Sequence, residues 1–158
     1  MAIEEKLLYQ EITYEIRGAC FWIWKEFASA FKESIIDKAL TEELKKRGLK
    51  VDNQKHIDIF YNKKKVGTYI PDKVINDCVL VELKRKPFLL RQDKEQLWHY
   101  LKGSEYKLGL LINFGENELE FERIAYDTKR RSKRDQRQIR VADPRLIRVV
   151  DPRLIREQ

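Results

Sequence analysis

Between Thr13 and Phe27 the apolar residues Ile16, Ala19, Ile23 and Phe27 recur every three or four positions, the period of one helix face. Gly18 weakens that helix slightly. A second helix is predicted from Ala30 to Arg47. Its last turn is Lys45, Lys46 and Arg47, which suits the negative end of the helix dipole, and Gly48 follows as a stop. The pattern then changes. Short β-rich runs at His56–Tyr61, Val66–Ile75 and Cys78–Lys84 predict three strands, with turns at Asn62–Lys65 and Asn76-Asp77. A third helix is predicted over Asp93–Lys102. Strands at Leu108–Phe114 and Leu119–Ile124, separated by Gly115–Glu118, close the compact part. Helix, three strands, helix and strand predict an α/β protein with helices packed on a mixed sheet.

The chemistry sits on the hairpin around Asn76-Asp77. Pro71-Asp72 is followed, after nine residues, by Glu82-Leu83-Lys84. Folding the chain back at the turn brings Asp72 close to Val81 and Glu82. On a strand, Glu82 and Lys84 point to one face, and Val79, Val81 and Leu83 to the other. Asp72 and Glu82 together suit a hard divalent cation such as Mg²⁺ or Mn²⁺, which prefers oxygen ligands and keeps several waters. Lys84 would then orient a water or neutralise charge developing on a phosphate. These are the parts of a metal-dependent phosphodiesterase. Ordinary surface charges on a half-exposed strand are the alternative, in a chain with 37% charged residues.

Length and composition set the frame. With 158 residues, the chain is one domain by length and long enough to bury a real core. Cys20 and Cys78 lie in hydrophobic surroundings and read as reduced cysteines of a cytoplasmic protein. No apolar run reaches eighteen residues and no signal peptide is evident, so a soluble protein without a membrane partner is expected. His56 and His99 have no Cys or His neighbour at zinc spacing. Trp22, Trp24 and Trp98 are expected to be packing residues rather than platforms for bases.

The net charge of +7 suggests nucleic acid, but it is unevenly spread. Residues 125–158 hold 11 Lys/Arg against 5 Asp/Glu, whereas residues 1–124 hold 22 against 21. The basic character belongs to the C-terminal extension, and the core is nearly neutral. That extension carries a direct repeat, RVADPRLI at 140–147 and RVVDPRLI at 148–155. Asp-Pro in each copy disfavours continuous helix. The sequence thus divides into a domain at 1–124 and a mobile, basic tail at 125–158. Nonspecific nucleic-acid binding by the tail is the functional alternative.

The order of elements, with Pro71-Asp72 and Glu82-Leu83-Lys84 on the second and third strands, resembles the PD-(D/E)XK nuclease superfamily. Within it the chain is similar to the GxxExxY family over about Leu8 to Asp127. The resemblance rests on Lys38-Ala39-Leu40, Glu43 to Gly48, Gly67 to Asp72, Glu82 to Lys84, Gln96 to Lys102 and Lys107 to Gly115. In the naming signature the family's glycine falls at Ala30 and its tyrosine at Ile36, and Glu33 is retained. The resemblance implies a restriction-endonuclease-like core of order α-β-β-β-α-β. It also implies a divalent-metal-dependent nuclease acting on nucleic acid, DNA in preference to RNA. A catalytically weakened module that binds nucleic acid or protein on the same fold is the alternative, given Ala30 and Ile36.

The resemblance adds two residues to the site. Glu33 would be a third acid. Taken alone, it heads a stripe with Ile36, Leu40 and Leu44, where a carboxylate needs a partner, or it is an N-terminal helix acid. Gln96 would contact phosphate near the metal. Taken alone, Asp93 and Gln96 fit a capping box. Arg85, Lys86 and Arg91 could bind backbone phosphate, but a solvated charge run is the preferred reading.

Overall fold

A computed structural model describes residues 8–27, 30–126 and 156–157. The predicted tail lies outside the described residues from 127 to 155 and at 158, and its repeat with it. Helix α1 (Gln10–Phe27) and helix α2 (Glu33–Lys46) pack together through Ile16, Ala19, Cys20 and Ile23 on one and Ile36, Leu40 and Leu44 on the other. The helical periods of the sequence are therefore the buried stripes. Helix α2 starts three residues later than predicted, because Lys32 is extended, with ψ 153°. Its end is a Schellman motif. The Gly48 N–H donates to the Lys45 carbonyl at 2.9 Å and the Leu49 N–H to the Leu44 carbonyl at 3.1 Å, with Gly48 at φ +81°.

The main sheet has six strands in the order β1 (Val51–Asp52), β4 (Lys73–Ile75), β5 (Val79–Lys84), β6 (Leu108–Phe114), β7 (Leu119–Ala125) and β8 (Arg156–Glu157). Only β5 and β6 are parallel, joined by a crossover through helix α3 (Arg91–Lys102). The fold is thus a mixed α/β sheet with helices on both faces. Strand β1 was not legible in the sequence. The predicted strand Val66–Ile75 is broken at Ile70–Asp72. Its first half, β3 (Lys64–Tyr69), pairs with β2 (Ile57–Tyr61) in a separate two-stranded sheet. The proline at 71 cannot donate to a ladder, which is where the strand stops.

Strand β5 alternates between two cores. Val79, Val81 and Leu83 face α1 and α2, whereas Leu80 faces α3 and the β2–β3 hairpin. A sheet covered on both sides requires apolar residues on both, so the strand is not apolar on one face only. Glu82 and Lys84 follow Leu80 on the α3 side, toward the C-terminal end of the strand. The cysteines are unpaired, Cys20 buried and Cys78 half-buried. Trp24 is half-buried and donates to the Gly115 carbonyl at 3.2 Å, and Trp98 packs against Tyr126. Trp22 departs from expectation and is 51% exposed. No described helix is long and apolar enough to cross a membrane.

Candidate active site

The β4–β5 turn takes left-handed backbone at Asn76 (φ 49°) and Asp77 (φ 55°), a conformation that asparagine and aspartate tolerate well. The Cys78 N–H closes it on the Ile75 carbonyl at 3.0 Å. The turn fixes the register: Ile75 pairs with Val79 and Lys73 with Val81. Asp72, one residue beyond the ladder, therefore stands across from Glu82. Its Oδ2 accepts the Leu83 N–H at 2.7 Å, a group that the short strand β4 leaves without a ladder partner. The carboxylate is thereby held against the backbone between Glu82 and Lys84.

Glu82 is half-buried and accepts a hydrogen bond from the Tyr69 hydroxyl. Burial, with Asp72 adding to it, pushes its carboxyl up to about 7. The Tyr69 hydroxyl, Lys84 and the Asp72 backbone N–H act in the opposite direction. Tyr69 is itself shifted upward, first by burial and then by the charge of Glu82. Its ring stacks on Tyr100 of α3, centroids 3.6 Å apart and planes 4° apart. The Tyr100 hydroxyl in turn lies 3.4 Å from Gln96 Nε2, a long contact on the exposed side. Gln96 is thus connected to Glu82 through two tyrosines. It does not serve the capping role: Asp93 is the third residue of α3 and accepts the Leu90 N–H at 2.9 Å.

Glu33 opens α2 and is exposed as a residue. Its carboxyl is nonetheless shifted upward, first by burial and then by Asp72, with Lys84 opposing and Asp37 adding. It therefore lies within electrostatic reach of the hairpin charges. Lys84 is half-buried, and among the described residues its ammonium makes no hydrogen bond or ion pair while it acts electrostatically on Glu33, Glu82 and Asp93. Ile36, at the signature's tyrosine position, is 1% exposed and belongs to the core.

Two features of the site escaped sequence reasoning. Tyr69 is one; its signal was its position three residues before Asp72, on the strand that leads into the hairpin. Lys73 is the other. It is fully buried, and its ammonium donates to the Asp37 carboxylate and carbonyl, to Thr41 Oγ1 at 2.8 Å and to Asn53 Oδ1 at 3.0 Å. This cluster ties α2 to β4 beside Asp72. The charges downstream are engaged within the protein. Arg85 donates to the Phe114 carbonyl, Lys86 pairs with Asp93 at 2.7 Å and Arg91 with Glu95 at 2.7 Å.

The donor set suits a hard cation. The charge of Asp72 raises the cost of ionising Glu82, and a cation between them would relieve it. Among the described residues no three His, Cys, Asp or Glu side chains are gathered to hold an ion. Two carboxylates completed by water and substrate oxygens is the usual arrangement for Mg²⁺. No curated protein and no solved structure matches the chain. A family model described as the PD-(D/E)XK nuclease superfamily matches residues 10–124, which contain the whole of this site. The chain belongs to the PD-(D/E)XK nuclease superfamily.

Proposed function

We propose that this protein is a divalent-metal-dependent nuclease that hydrolyses phosphodiester bonds of DNA, with RNA the second substrate to test, and that it belongs to the GxxExxY branch. The observation that carries the reading is the hairpin register that sets Asp72 across from Glu82, with Lys84 two residues further along the same strand. Asp72 and Glu82 would hold Mg²⁺ or Mn²⁺. The ion, when bound, polarises the phosphate and lowers the pKa of a bound water. Lys84, with no internal acceptor among the described residues, is available to donate to that water or to a phosphate oxygen as negative charge grows. Glu33 adds a third acid at the start of α2, and the exposed Gln96 amide can donate to substrate phosphate. Glu33 at the signature's retained position supports the branch.

The test uses the full chain on single- and double-stranded DNA and RNA, with Mg²⁺, Mn²⁺ or EDTA. Cleavage that needs the divalent ion and is lost in Asp72→Asn and Lys84→Ala supports the nuclease. Absence of divalent-dependent cleavage on every substrate overturns it, as does cleavage that survives both substitutions.

A further inference from the structure

Among the described residues, the β2–β3 hairpin packs at its base and leaves its tip exposed. Ile57 and Tyr69 at its base are buried against α3, and the Phe60 N–H reaches the Gly103 carbonyl at 3.4 Å. Beyond that base the side chains stand in solvent: Phe60 is 52% exposed, Tyr61 69% and Val66 62%. The turn, Asn62 and Lys63 at φ 48° and 61°, carries Lys63 and Lys64, which make no ion pair among the described residues. Lys65 is paired with Asp58 at 3.0 Å. In a core of nearly balanced charge, this tip is a local excess of positive charge.

The register decides what the tip can hold. Phe60 pairs with Lys65 and Tyr61 with Lys64, so each face of the ribbon carries one aromatic ring and one lysine. Val66 is the extra residue of the bulge between Ile59 and Phe60. Successive bases of a single strand stack on rings that share a face, and these two rings do not. With Lys65 paired to Asp58, the cations left unpaired among the described residues are Lys64 on the Tyr61 face and Lys63 in the turn beside it, and a ribbon that leads with its positive charge fits a groove lined by phosphate. The major groove of a duplex, about 12 Å wide, admits a two-stranded ribbon. Gly67 fits the same picture. Neither a positive φ nor a neighbour requires glycine there, since a Cβ would meet nothing within 4 Å. A bare strand residue in open space permits close approach of a ligand backbone.

We propose that the β2–β3 hairpin is an arm that enters a groove of duplex DNA and sets the distance between the site and its anchorage. This rests on the nuclease reading, because the arm leads through Tyr69 directly to Asp72. Strand β3 spans five residue steps of about 3.4 Å, so the tip reaches about 17 Å from Tyr69. That is about five base pairs at ~3.4 Å each.

The experiment measures binding of a duplex of about two helical turns by the full chain in EDTA, across a salt series, alongside divalent-dependent hydrolysis of bis-p-nitrophenyl phosphate. Lys63→Ala with Lys64→Ala should weaken duplex binding on the order of tenfold and lower the log–log salt slope by about 1.8. Tyr61→Ala should weaken binding with the slope unchanged. Hydrolysis of the small diester, which cannot reach the tip, should stay at wild-type level in both. Duplex binding and slope unchanged in these variants overturns the arm, even if the small diester is cleaved. Unchanged duplex binding with lost self-association, seen by sedimentation, overturns it in favour of a protein-docking surface. Loss of small-diester hydrolysis in wild type counts against the nuclease reading and leaves the salt slope as the separate test of the arm. Far-UV circular dichroism checks that the exposed substitutions leave the fold intact.

Discussion

The Asp72 carboxylate accepts the Leu83 backbone N–H at 2.7 Å, which fixes the acid of one strand against the backbone between Glu82 and Lys84 of the next. Asp72→Asn keeps an oxygen for that bond and removes the charge. Mn²⁺ binding, measured by isothermal titration, should weaken while thermal stability changes little. Asp72→Ala removes the acceptor too and should cost a further ~1 kcal/mol. Lys84→Ala should leave the titration nearly unchanged and slow cleavage by about 10²–10³. A lysine substitution that abolishes ion binding would show that Lys84 acts structurally.

Tyr69→Phe keeps the stack on Tyr100 and deletes the hydroxyl that donates to Glu82. The ionised carboxylate loses a donor that favours it, so the Glu82 pKa rises further. Metal affinity or activity should fall about 10–100-fold, the range for partners that orient a ligand. The loss should be larger at pH 6 than at pH 9. A pH-independent loss would mean that the hydroxyl only fills space.

Glu82 also predicts how pH and metal are linked. Its folded pKa, about 7, is above the model-compound value of 4.5, with burial the first cause. A carboxyl raised in this way favours the folded state while protonated. Its contribution is fully present below pH 4.5 and is lost as pH rises through about 7. Metal-free protein should therefore lose stability over that window relative to Glu82→Gln. Millimolar Mg²⁺ should raise the melting temperature at pH 8 more than at pH 5, because the proton competes with the ion. Equal shifts at both pH values would count against Glu82 as a ligand.

Lys73 holds Asp37, Thr41 and Asn53 together from a fully buried position. Lys73→Met fills much of the volume but leaves these acceptors without their cation. Removal of one partner from a buried ionic cluster costs about 3–5 kcal/mol, and the part-exposed Asp37 carboxylate puts this case near the lower end. Urea unfolding gives the value. A loss under ~1 kcal/mol would show that water replaces the ammonium.

Helix α1, helix α2 with its glycine stop, and strands β6 and β7 were legible because each depends on local pattern. Helical stripes, an Asn-Asp turn and continuous apolar runs need no distant partner to be recognised. Strand β1 was not legible: its two residues, Val51 and Asp52, have no period and are strand only because β4 pairs with them. The break at Pro71 is written in the sequence, yet its result, two separate sheets, follows from which partner each half finds. Gln96 shows the limit of local rules. The spacing to Asp93 suits a cap, but the helix starts at Arg91 and puts Asp93 at the capping position instead.

For the candidate site, the sequence by itself determined that Asp72 stands across from Glu82 with Lys84 on the same strand, because a turn and a period of two dictate which residues of a hairpin face one another. Three things depended on the tertiary structure. The hydroxyl of Tyr69 reaches Glu82 because α3 supplies Tyr100 as a surface for its ring. Glu33 comes within reach of Asp72 because the buried Lys73 ties α2 to β4. Glu82 is shifted upward because packing removes water from it and sets Asp72 alongside. Each of these is a contact between segments distant in the chain. A sequence states which groups are available, and the closure of the fold decides which of them lose water and meet.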